Sequence, residues 1–476
     1  MASVVVAGGG IAGLAAAVAL SDRGHVVRLL DREPDAPPLP PRYLAGVWYR
    51  PSVPQADQPH SFTSLGMNLL RERAPDVYEA LLSAGAVELD LGSAPPAARA
   101  QLPYDPELRV LACRRKVFEA VLRQAVLARP RVTLQSGTAV RGLLFDGGSP
   151  RVVGVRTAGG ERVAADLVVD ATGWRSLSAR WLAERHPSGS TGPADAGRTR
   201  VAAYTRFYRL RTDVPPAPLN RGNAAGGLWS HFSAILHPGD NGTFTISLGV
   251  LTDDDAMKGL RREPAFDAAA ASVGILAPWL APGASEPISE VHAHSCPPTQ
   301  LREPDLLGGE PVQGLVPVGD AACVTNPLYG RGVSLGLAHA FRLAGVLDTI
   351  PRVGPEQARL AARVTASLMT PWYRQGQRDD EELLGIWRAT VHGAPPPVPP
   401  AGRLPFSAVA MAAATDPVVF RRAVRVQMCL DEPDTLYTDD EIRARVQMAR
   451  TVERPHLPGP DRAELVGLVA AAGGSA

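Results

Sequence analysis

Apolar and small residues alternate at the start of the chain in an order that predicts a strand, a turn, a helix and a second strand. Ser3–Ala7 is a β-branched run typical of a buried strand. Leu14–Arg23 is an alanine-rich helical stretch, and the apolar run His25–Leu30 then ends at Asp31. This order predicts the first unit of an α/β, Rossmann-like domain.

Similar patterns recur along the chain. Apolar runs at 167–169 and 315–318 predict two further buried strands, each followed by a turn of small residues. Shorter runs at 132–134, 139–145, 152–157 and 162–164 predict a small antiparallel set. Strand-like runs at 201–210, 227–236, 243–250 and 289–296 predict a second antiparallel sheet, and a helical pattern dominates after residue 354.

The first turn carries a glycine motif. The pattern G-x-G-x-x-G is matched by Gly8, Gly10, Ile11, Ala12 and Gly13. In this motif the first glycine permits a tight turn, the second lets the backbone approach a pyrophosphate, and the third lets helix and strand pack closely. Asp31 stands where an acid would accept hydrogen bonds from a ribose hydroxyl. The stretch therefore predicts a dinucleotide site.

Two later turns indicate which dinucleotide is bound. Asp170 and Gly173 follow the middle strand, and Gly319 and Asp320 follow the last one. A carboxylate at a strand end suits a ribityl hydroxyl, and the helix beginning at Gly332 would stabilise negative charge on a reduced flavin. Together with the first motif these turns predict FAD, because NAD needs no third element.

Composition argues against several other classes of protein. The 476 residues carry a net charge of +1 and are 45% hydrophobic, without the basic excess typical of proteins that bind nucleic acid or anionic membranes. No apolar run reaches the roughly 18 residues of a membrane-spanning helix. Four cysteines lie far apart, which predicts free thiols, no metal site and a cytoplasmic location: Cys113, Cys296, Cys323 and Cys429.

The three turns resemble the fingerprints of the single-component FAD-dependent monooxygenases, which have the para-hydroxybenzoate hydroxylase fold. Within that group the chain resembles actinobacterial FAD-dependent oxidoreductases and polyether or squalene epoxidases most closely. The likeness lies at Arg50–Gln55 with His60, at Arg115 ahead of Glu119, and at Asn326–Gly330.

The resemblance implies a GR2-type Rossmann-like FAD-binding domain, an antiparallel-sheet substrate domain and a helical C-terminal region. The expected boundaries are 1–195 for the first part of the FAD-binding domain, with a helical insertion at 60–84, then 196–300 for the substrate domain, 301–353 for the second part of the FAD-binding domain and 354–476 for the helical region.

By the same resemblance Asp31 would hold the adenosine ribose, Arg115 the ribityl-phosphate side, and the backbone at Val140 would pass near the adenine. Asp320 would meet the ribityl and pyrophosphate region, and residues 327–332 would line the flavin ring. The expected cofactor contacts are Gly8, Gly10, Ile11, Ala12, Gly13, Asp31, Arg32, Gln55, Arg115, Val140, Asp170, Gly173, Gly319, Asp320, Pro327, Gly330, Arg331 and Gly332.

The function implied is that of a monooxygenase, in which a flavin C4a-hydroperoxide hydroxylates or epoxidises a largely apolar organic substrate of the secondary-metabolite kind. The flavin carries the chemistry, so no catalytic side chain is required. The sequence holds no second G-x-G-x-x-G, so NADPH or NADH would bind transiently as reductant. The candidate substrate contacts are Trp48, Tyr49, Trp229, His231 and Phe232.

Three alternatives stay open. A flavin-dependent halogenase would need a lysine, and the chain offers only Lys116 and Lys258 and lacks the W-x-W-x-I-P signature. The turn 170–173 lacks the adjacent Asp-Gly of many aromatic hydroxylases, which permits a reductase or dehydrogenase acting on a double bond. An escort protein of the Rab GDP-dissociation-inhibitor type shares the fold, but the intact cofactor glycines argue against it.

Overall fold

Five short apolar segments, widely separated in sequence, form one parallel sheet. They are β1 (Ser3–Ala7), β2 (Val26–Leu30), β5 (Val132–Gln135), β9 (Leu167–Asp170) and β19 (Leu315–Pro317). Their order in the sheet is β19-β9-β1-β2-β5. The computed structural model describes residues 1–93, 105–147, 151–185, 201–302, 306–307, 310–398, 404–449 and 458–472.

Both faces of the parallel sheet are covered, because its strands are apolar on both sides. Val4 and Val6 point to one face, where the helices α1 (Ile11–Ser21), α5 (Arg115–Leu127) and α9 (Gly332–Thr349) pack. Val5 and Ala7 point to the other. An antiparallel sheet packs on that second face and consists of β6 (Val140–Phe145), β7 (Val152–Thr157) and β8 (Arg162–Ala164).

The predicted antiparallel set is wrong in one member. Residues 132–134 do not join β6 to β8, because β5 pairs in parallel with β2, with Val27 opposite Val132. The reason is topological, since β5 follows α5 and returns to the edge of the parallel sheet. Periodicity over three residues cannot distinguish these two pairings.

A second, antiparallel sheet lies between residues 201 and 295. Its strands are β10 (Val201–Leu210), β11 (Ala225–Leu228), β12 (Ser233–Pro238), β13 (Thr243–Leu251), β14 (Ser285–Pro287) and β15 (His292–Ser295). The order is β11-β12-β13-β10, and both β14 and β15 pair with β10.

The two faces of the second sheet have different partners. On the back face, Tyr208, Leu236 and Phe244 pack against three helices: α7 (Glu263–Ala271), α8 (Ala277–Leu280) and α15 (Arg462–Ala471). On the front face, the Thr205 hydroxyl donates a hydrogen bond to Gln58 Oε1 at 2.8 Å, so this face turns toward the parallel-sheet domain.

The remaining elements surround these sheets. They are α2 (Pro41–Leu44), α3 (Ser64–Arg73), α4 (Pro75–Ser83), α6 (Leu177–Arg185), α10 (Pro355–His392), α11 (Phe406–Ala413), α12 (Pro417–Gln427), α13 (Thr435–Thr438), α14 (Asp440–Ala449), β3 (Val87–Asp90), β4 (Arg109–Ala112), β16 (Gln300–Leu301), β17 (Leu306–Leu307), β18 (Glu310–Pro311) and β20 (Cys323–Val324). Within the described ranges, no helix combines the length and apolar character needed to cross a bilayer.

The C-terminal helices contact both sheets. The long helix α10 packs against α9, and its Trp387 donates an indole hydrogen bond to the Trp229 carbonyl at 2.9 Å. The last helix, α15, contributes Leu465 and Val469 to the core behind the second sheet. The predicted fold class is confirmed: a Rossmann-like α/β domain with a second, antiparallel sheet and C-terminal helices.

Candidate functional site

Three turns meet at the carboxyl edge of the parallel sheet, because β1, β9 and β19 are neighbours there. At Gly8 the backbone has φ +111°, and a Cβ would lie 2.4 Å from the Ala171 carbonyl oxygen. A Cβ at Gly13 would lie 1.9 Å from the Gly8 carbonyl oxygen. These two glycines therefore hold the first and middle turns in contact.

Gly10 differs from its neighbours, since a Cβ there would meet no protein atom within 4 Å. The residue caps α1 in an extended conformation, and no side chain bonds to the cap. The N–H groups of the first helical turn are therefore available to a ligand in the open space beside Gly10. An open position and a helix N-terminus together suit a phosphate group.

A cluster of buried charges lies beside this turn. Arg50 Nη1 is 2.6 Å from Glu119 Oε1, and Arg115 Nε is 3.3 Å from Glu119 Oε2. Arg50 and Arg123 also approach Asp31 Oδ2, at 3.7 and 3.6 Å. The i,i+4 spacing of residues 115, 119 and 123 puts all three on one face of α5. We call these five residues the charged cluster.

One carboxylate oxygen of Asp31 accepts no hydrogen bond, although two arginines approach it. Its Oδ1 accepts a hydrogen bond from the Glu33 N–H at 3.2 Å, but the buried Oδ2 has no hydrogen bond among the described residues. Burial raises the pKa of Asp31, and the charge of Arg50 opposes that effect. A buried acceptor of this kind is costly unless a ligand donates to it, so the position suits a ribose hydroxyl.

The last turn is joined to the middle turn by Arg302. Its Nη1 donates to the carbonyls of Asp320 and Ala321 at 2.9 and 3.1 Å, and its Nη2 donates to the Trp174 carbonyl. The Asp320 carboxylate is half-buried and has no hydrogen-bond partner within the described part of the chain. Burial raises its pKa, and Arg115 and Arg302 partly offset that rise.

Asp170 has a different role from Asp320. Its Oδ1 accepts from the Thr172 N–H and hydroxyl at 2.9 and 2.6 Å, and its Oδ2 accepts from the Ser176 hydroxyl at 2.9 Å. The side chain is fully buried within its own turn, so it shapes the turn and does not present its carboxylate to a ligand. Gly173, at φ +82°, faces open space in that turn.

The segment from Asn326 to Gly332 leads into α9 and is tied to α10. Asn326 Nδ2 and the Tyr329 hydroxyl both donate to Asp380 Oδ1, at 2.6 and 2.9 Å. Pro327 begins a single 3₁₀ turn that ends at Gly330 with φ +65°. A Cβ at Gly330 would lie 2.6 Å from Ser61 Oγ, so this loop and the segment around Ser61 are in contact.

Two neutral histidines support the same region. His339 Nδ1 accepts the Gly319 N–H at 3.2 Å, and its Nε2 lies 2.9 Å from Thr365 Oγ1. His60 Nδ1 lies 2.9 Å from the Gln58 carbonyl, and its Nε2 is 2.9 Å from Arg115 Nη1. Burial lowers the pKa of each histidine to about 3. Because Arg115 and the Gly319 N–H can only donate, each imidazole accepts there and is neutral.

Comparison with known proteins agrees with this geometry. Residues 3–184 match the family model described as FAD dependent oxidoreductase. This first part of the chain is therefore similar to FAD-dependent oxidoreductases. No curated protein matches its sequence.

Solved structures with a similar fold include flavin-dependent proteins. PqsL of Pseudomonas aeruginosa, described as a probable FAD-dependent monooxygenase, is 13% identical with a TM-score of 0.58, over 83% of this chain and 100% of that chain. The flavin-dependent halogenase CmlS is 17% identical with a TM-score of 0.58, over 99% of this chain and 76% of that chain. The myxobacterial chondrochloren halogenase CndH is 17% identical with a TM-score of 0.57, over 99% and 96%.

The predicted substrate contacts do not lie together beside the flavin turns. Trp229 and Phe232 stack at 4.8 Å in the back-face core of the second sheet, and His231 is buried at the same side. Trp48 packs beneath Arg50 at 4.7 Å, next to the charged cluster, and Tyr49 is 78% exposed. Trp229, His231 and Phe232 lie in the connection between β11 and β12, whereas Trp48 and Tyr49 follow α2. The role of these five residues as substrate contacts stays a prediction.

The positions of three other predicted cofactor contacts follow from hydrogen bonds at or near each residue. Val140 begins β6 just after Thr138, whose N–H donates to the Asp31 carbonyl at 2.7 Å. Arg32 is exposed and donates to the Ser52 carbonyl at 3.2 Å. Gln55 is half-buried, and its carbonyl accepts from the Gln58 N–H at 3.1 Å.

Sequence reasoning missed several residues that build the site. Arg302 and His339 lie outside the glycine motifs in the sequence. Only the folded structure shows that both contact the last turn. His60 is part of the family resemblance, but the sequence alone predicts no role for it. The structure shows its contact with Arg115.

Proposed function

We propose that this protein is a monooxygenase that uses FAD, dioxygen and NADPH or NADH to oxygenate an organic substrate held against the front face of the second sheet. One observation carries the proposal. Ser61 contacts Gly330 in the segment 326–332, which we call the flavin loop, and Ser61 Oγ lies 3.3 Å from Nε2 of His237 on the front face. The loop at Gly330 and the front face of the second sheet are therefore neighbours, joined through Ser61.

The residues present fit FAD in one orientation. Asp31 would accept from the adenosine ribose, the N-terminus of α1 beside Gly10 would bind the pyrophosphate, and Asp320 with Arg115 would meet the ribityl-phosphate side. The loop 327–332 would line the ring. When bound, FAD supplies the redox chemistry, taking electrons from the reductant and activating dioxygen.

The protein's own task is to hold the substrate and exclude water. On the front face, the Thr205 hydroxyl bonds both to Gln58 and, at 3.0 Å, to Ser247 Oγ. Burial, aided by the charge of Arg221, lowers the pKa of His237 to about 4, so the imidazole is neutral at pH 7. Its buried Nδ1 has no hydrogen-bond partner among the described residues and is available to orient a substrate.

Oxygenation is favoured over halogenation by the state of the two lysines. Lys116 Nζ lies 2.6 Å from Asp57 Oδ1, and Lys258 Nζ lies 2.6 Å from Asp255 Oδ1 at an exposed site. An ammonium group engaged with a carboxylate is poorly placed to carry an oxidised halogen. The resemblance to halogenases in fold therefore supports the cofactor more than the reaction.

The test is oxygen-isotope labelling of the FAD-loaded protein. With a turned-over substrate we expect NAD(P)H oxidation, dioxygen uptake and incorporation of one ¹⁸O atom from ¹⁸O₂ to match in amount. Reduction of a substrate double bond without dioxygen would instead establish the reductase alternative and overturn the proposal.

A variant sharpens this test. His237→Leu should lower kcat/KM about tenfold or more, the loss of roughly one hydrogen bond to the substrate, while FAD affinity stays within about twofold. His392→Gln is the matched control, because His392 is exposed at the C-terminus of α10 and pairs with Asp253 at 3.3 Å. Equal activity in both variants would place the substrate elsewhere.

A further inference from the structure

Arg221 lies in the turn directly before β11, the edge strand of the second sheet. Its backbone N–H donates to the Ala224 carbonyl at 3.0 Å. The preceding residue, Asn220, forms two hydrogen bonds with Gly226 of β11. Asn220 Nδ2 donates to the Gly226 carbonyl at 3.1 Å, and Asn220 Oδ1 accepts the Gly226 N–H at 2.9 Å. These contacts hold the backbone of the turn in place against the sheet.

The guanidinium of Arg221 has no acidic partner within the described ranges. It forms no ion pair and no side-chain hydrogen bond there, although the residue is half-buried. Burial alone lowers the pKa of Arg221, and no described carboxylate opposes that effect. A group that is surrounded by protein atoms but keeps part of its surface accessible lies in a recess. Its N–H groups are therefore open to an anion that enters from outside.

The recess adjoins the front face of the second sheet. The positive charge of Arg221 helps to lower the pKa of His237, so the two side chains are close to each other. His237 stands opposite Thr245, and Thr245 stands opposite Phe207 on the next strand. Residues directly opposite one another on neighbouring strands share a face. His237, Thr245 and Phe207 therefore form one line across the sheet, which we call the front-face row.

The front-face row has a charged end and an apolar end. Arg221 lies at the His237 end, and the half-buried ring of Phe207 lies at the other, edge-on to His292 at 6.1 Å between ring centroids. Neighbouring strands are about 4.8 Å apart, so about 10 Å separate the backbone at His237 from the backbone at Phe207. An apolar organic acid of modest size fits such a distance, with its carboxylate at the Arg221 end.

We propose that Arg221 binds the carboxylate of the substrate, and that the substrate is an apolar organic acid lying along the front-face row. The inference rests on the proposed function, because it requires the substrate to lie on the front face. A guanidinium and a carboxylate form two parallel, charge-assisted hydrogen bonds, which fix the orientation of the acid as well as its affinity. In a recess this pair is screened less than on an open surface.

The experiment is a calorimetric titration of the FAD-loaded protein with two matched pairs of probes. The pairs are 1-naphthoate with 1-naphthamide and octanoate with octanamide, and each amide keeps the shape of its acid without the charge. We expect at least one acid to bind about tenfold or more tightly than its amide. Arg221→Gln should remove this preference, whereas Arg221→Lys should retain part of it because it keeps the charge. Arg211→Gln is the matched control, because Arg211 is exposed and pairs with Glu286 at 3.2 Å.

Several outcomes would overturn the inference. They are equal affinity for acid and amide in both pairs, no binding of any of the four probes, and a preference that survives Arg221→Gln. Weaker binding of NADPH in Arg221→Gln with unchanged affinity for the acids would assign the guanidinium to the reductant and would also overturn it. The titration needs neither dioxygen nor turnover. An acid preference that depends on Arg221 in a protein that oxygenates no substrate would therefore contradict the proposed function and leave the carboxylate site standing.

Discussion

The nucleotide end of the candidate FAD site contains a cluster of buried charges, whereas at the end expected to receive the flavin ring two histidines are neutral. At the nucleotide end, Glu119 lies between Arg50 and Arg115, and all three are buried. At the ring end, His60 and His339 act as neutral hydrogen-bonding groups. One end therefore depends on balanced charge, and the other depends on hydrogen bonds between distant segments.

The largest expected loss of stability comes from removing the shared carboxylate at the nucleotide end. Glu119→Gln leaves two buried arginines without their shared carboxylate, and loss of one partner from a buried ion pair costs about 3–5 kcal/mol. At the ring end, Asp380→Asn keeps an acceptor for Asn326 and Tyr329, so the change from charged to neutral hydrogen bonds costs about 1 kcal/mol. The shift in the urea midpoint of unfolding measures both losses. Equal losses would contradict the contrast between the two ends.

Substitutions at two glycines of the first turn should affect stability and FAD binding differently. Gly13→Ala forces a Cβ against the Gly8 carbonyl, so we expect the apoprotein to lose about 1–3 kcal/mol of stability through overpacking. Gly10→Ala enters open space and should cost less than about 1 kcal/mol. The methyl group added in Gly10→Ala would instead occupy the space proposed for the pyrophosphate. The FAD dissociation constant should therefore rise about tenfold or more. Thermal midpoints of the apoproteins and FAD titrations distinguish the two effects. Unchanged FAD affinity in Gly10→Ala would place the pyrophosphate elsewhere.

The smallest effect concerns the pH dependence of the ring end. Burial lowers the pKa of His339 to about 3 in the folded protein from its ordinary value of 6.5, so between these values the unfolded chain binds one more proton. The contribution of His339 to stability is therefore complete above pH 6.5 and falls as the pH drops toward 3. The slope is about 1.4 kcal/mol per pH unit for one proton. His339→Gln should reduce the slope of the free energy of unfolding between pH 6 and 4 by about that amount. An unchanged slope would show that the imidazole is not held neutral.

The nucleotide end was largely predictable from the sequence because its geometry is local. Gly8, Gly10 and Gly13 stand within one turn, and Asp31 closes the adjacent strand. The backbone dictates where these residues lie once the strand and helix are formed. The partners of Asp31 were not predictable, since Arg50 and Arg123 reach it from segments that no motif connects.

The ring end was predictable only in part because it is assembled from distant parts of the chain. Residues 326–332 are recognisable, but their contacts with Ser61 and Asp380 come from the packing of the whole domain. The second sheet shows the same limit. Alternation along its strands reveals that two faces exist, but it does not say which face turns toward the candidate flavin site, so the packing of Trp229 in the back-face core was not predictable.

The most direct measurement is a titration of the purified apoprotein with FAD, followed by absorbance and by quenching of flavin fluorescence. The account predicts that each chain takes up one FAD and becomes yellow, with weaker uptake in Gly10→Ala. A chain that stays colourless and binds no FAD, although it is folded, would contradict the convergence of the three turns on a single cofactor.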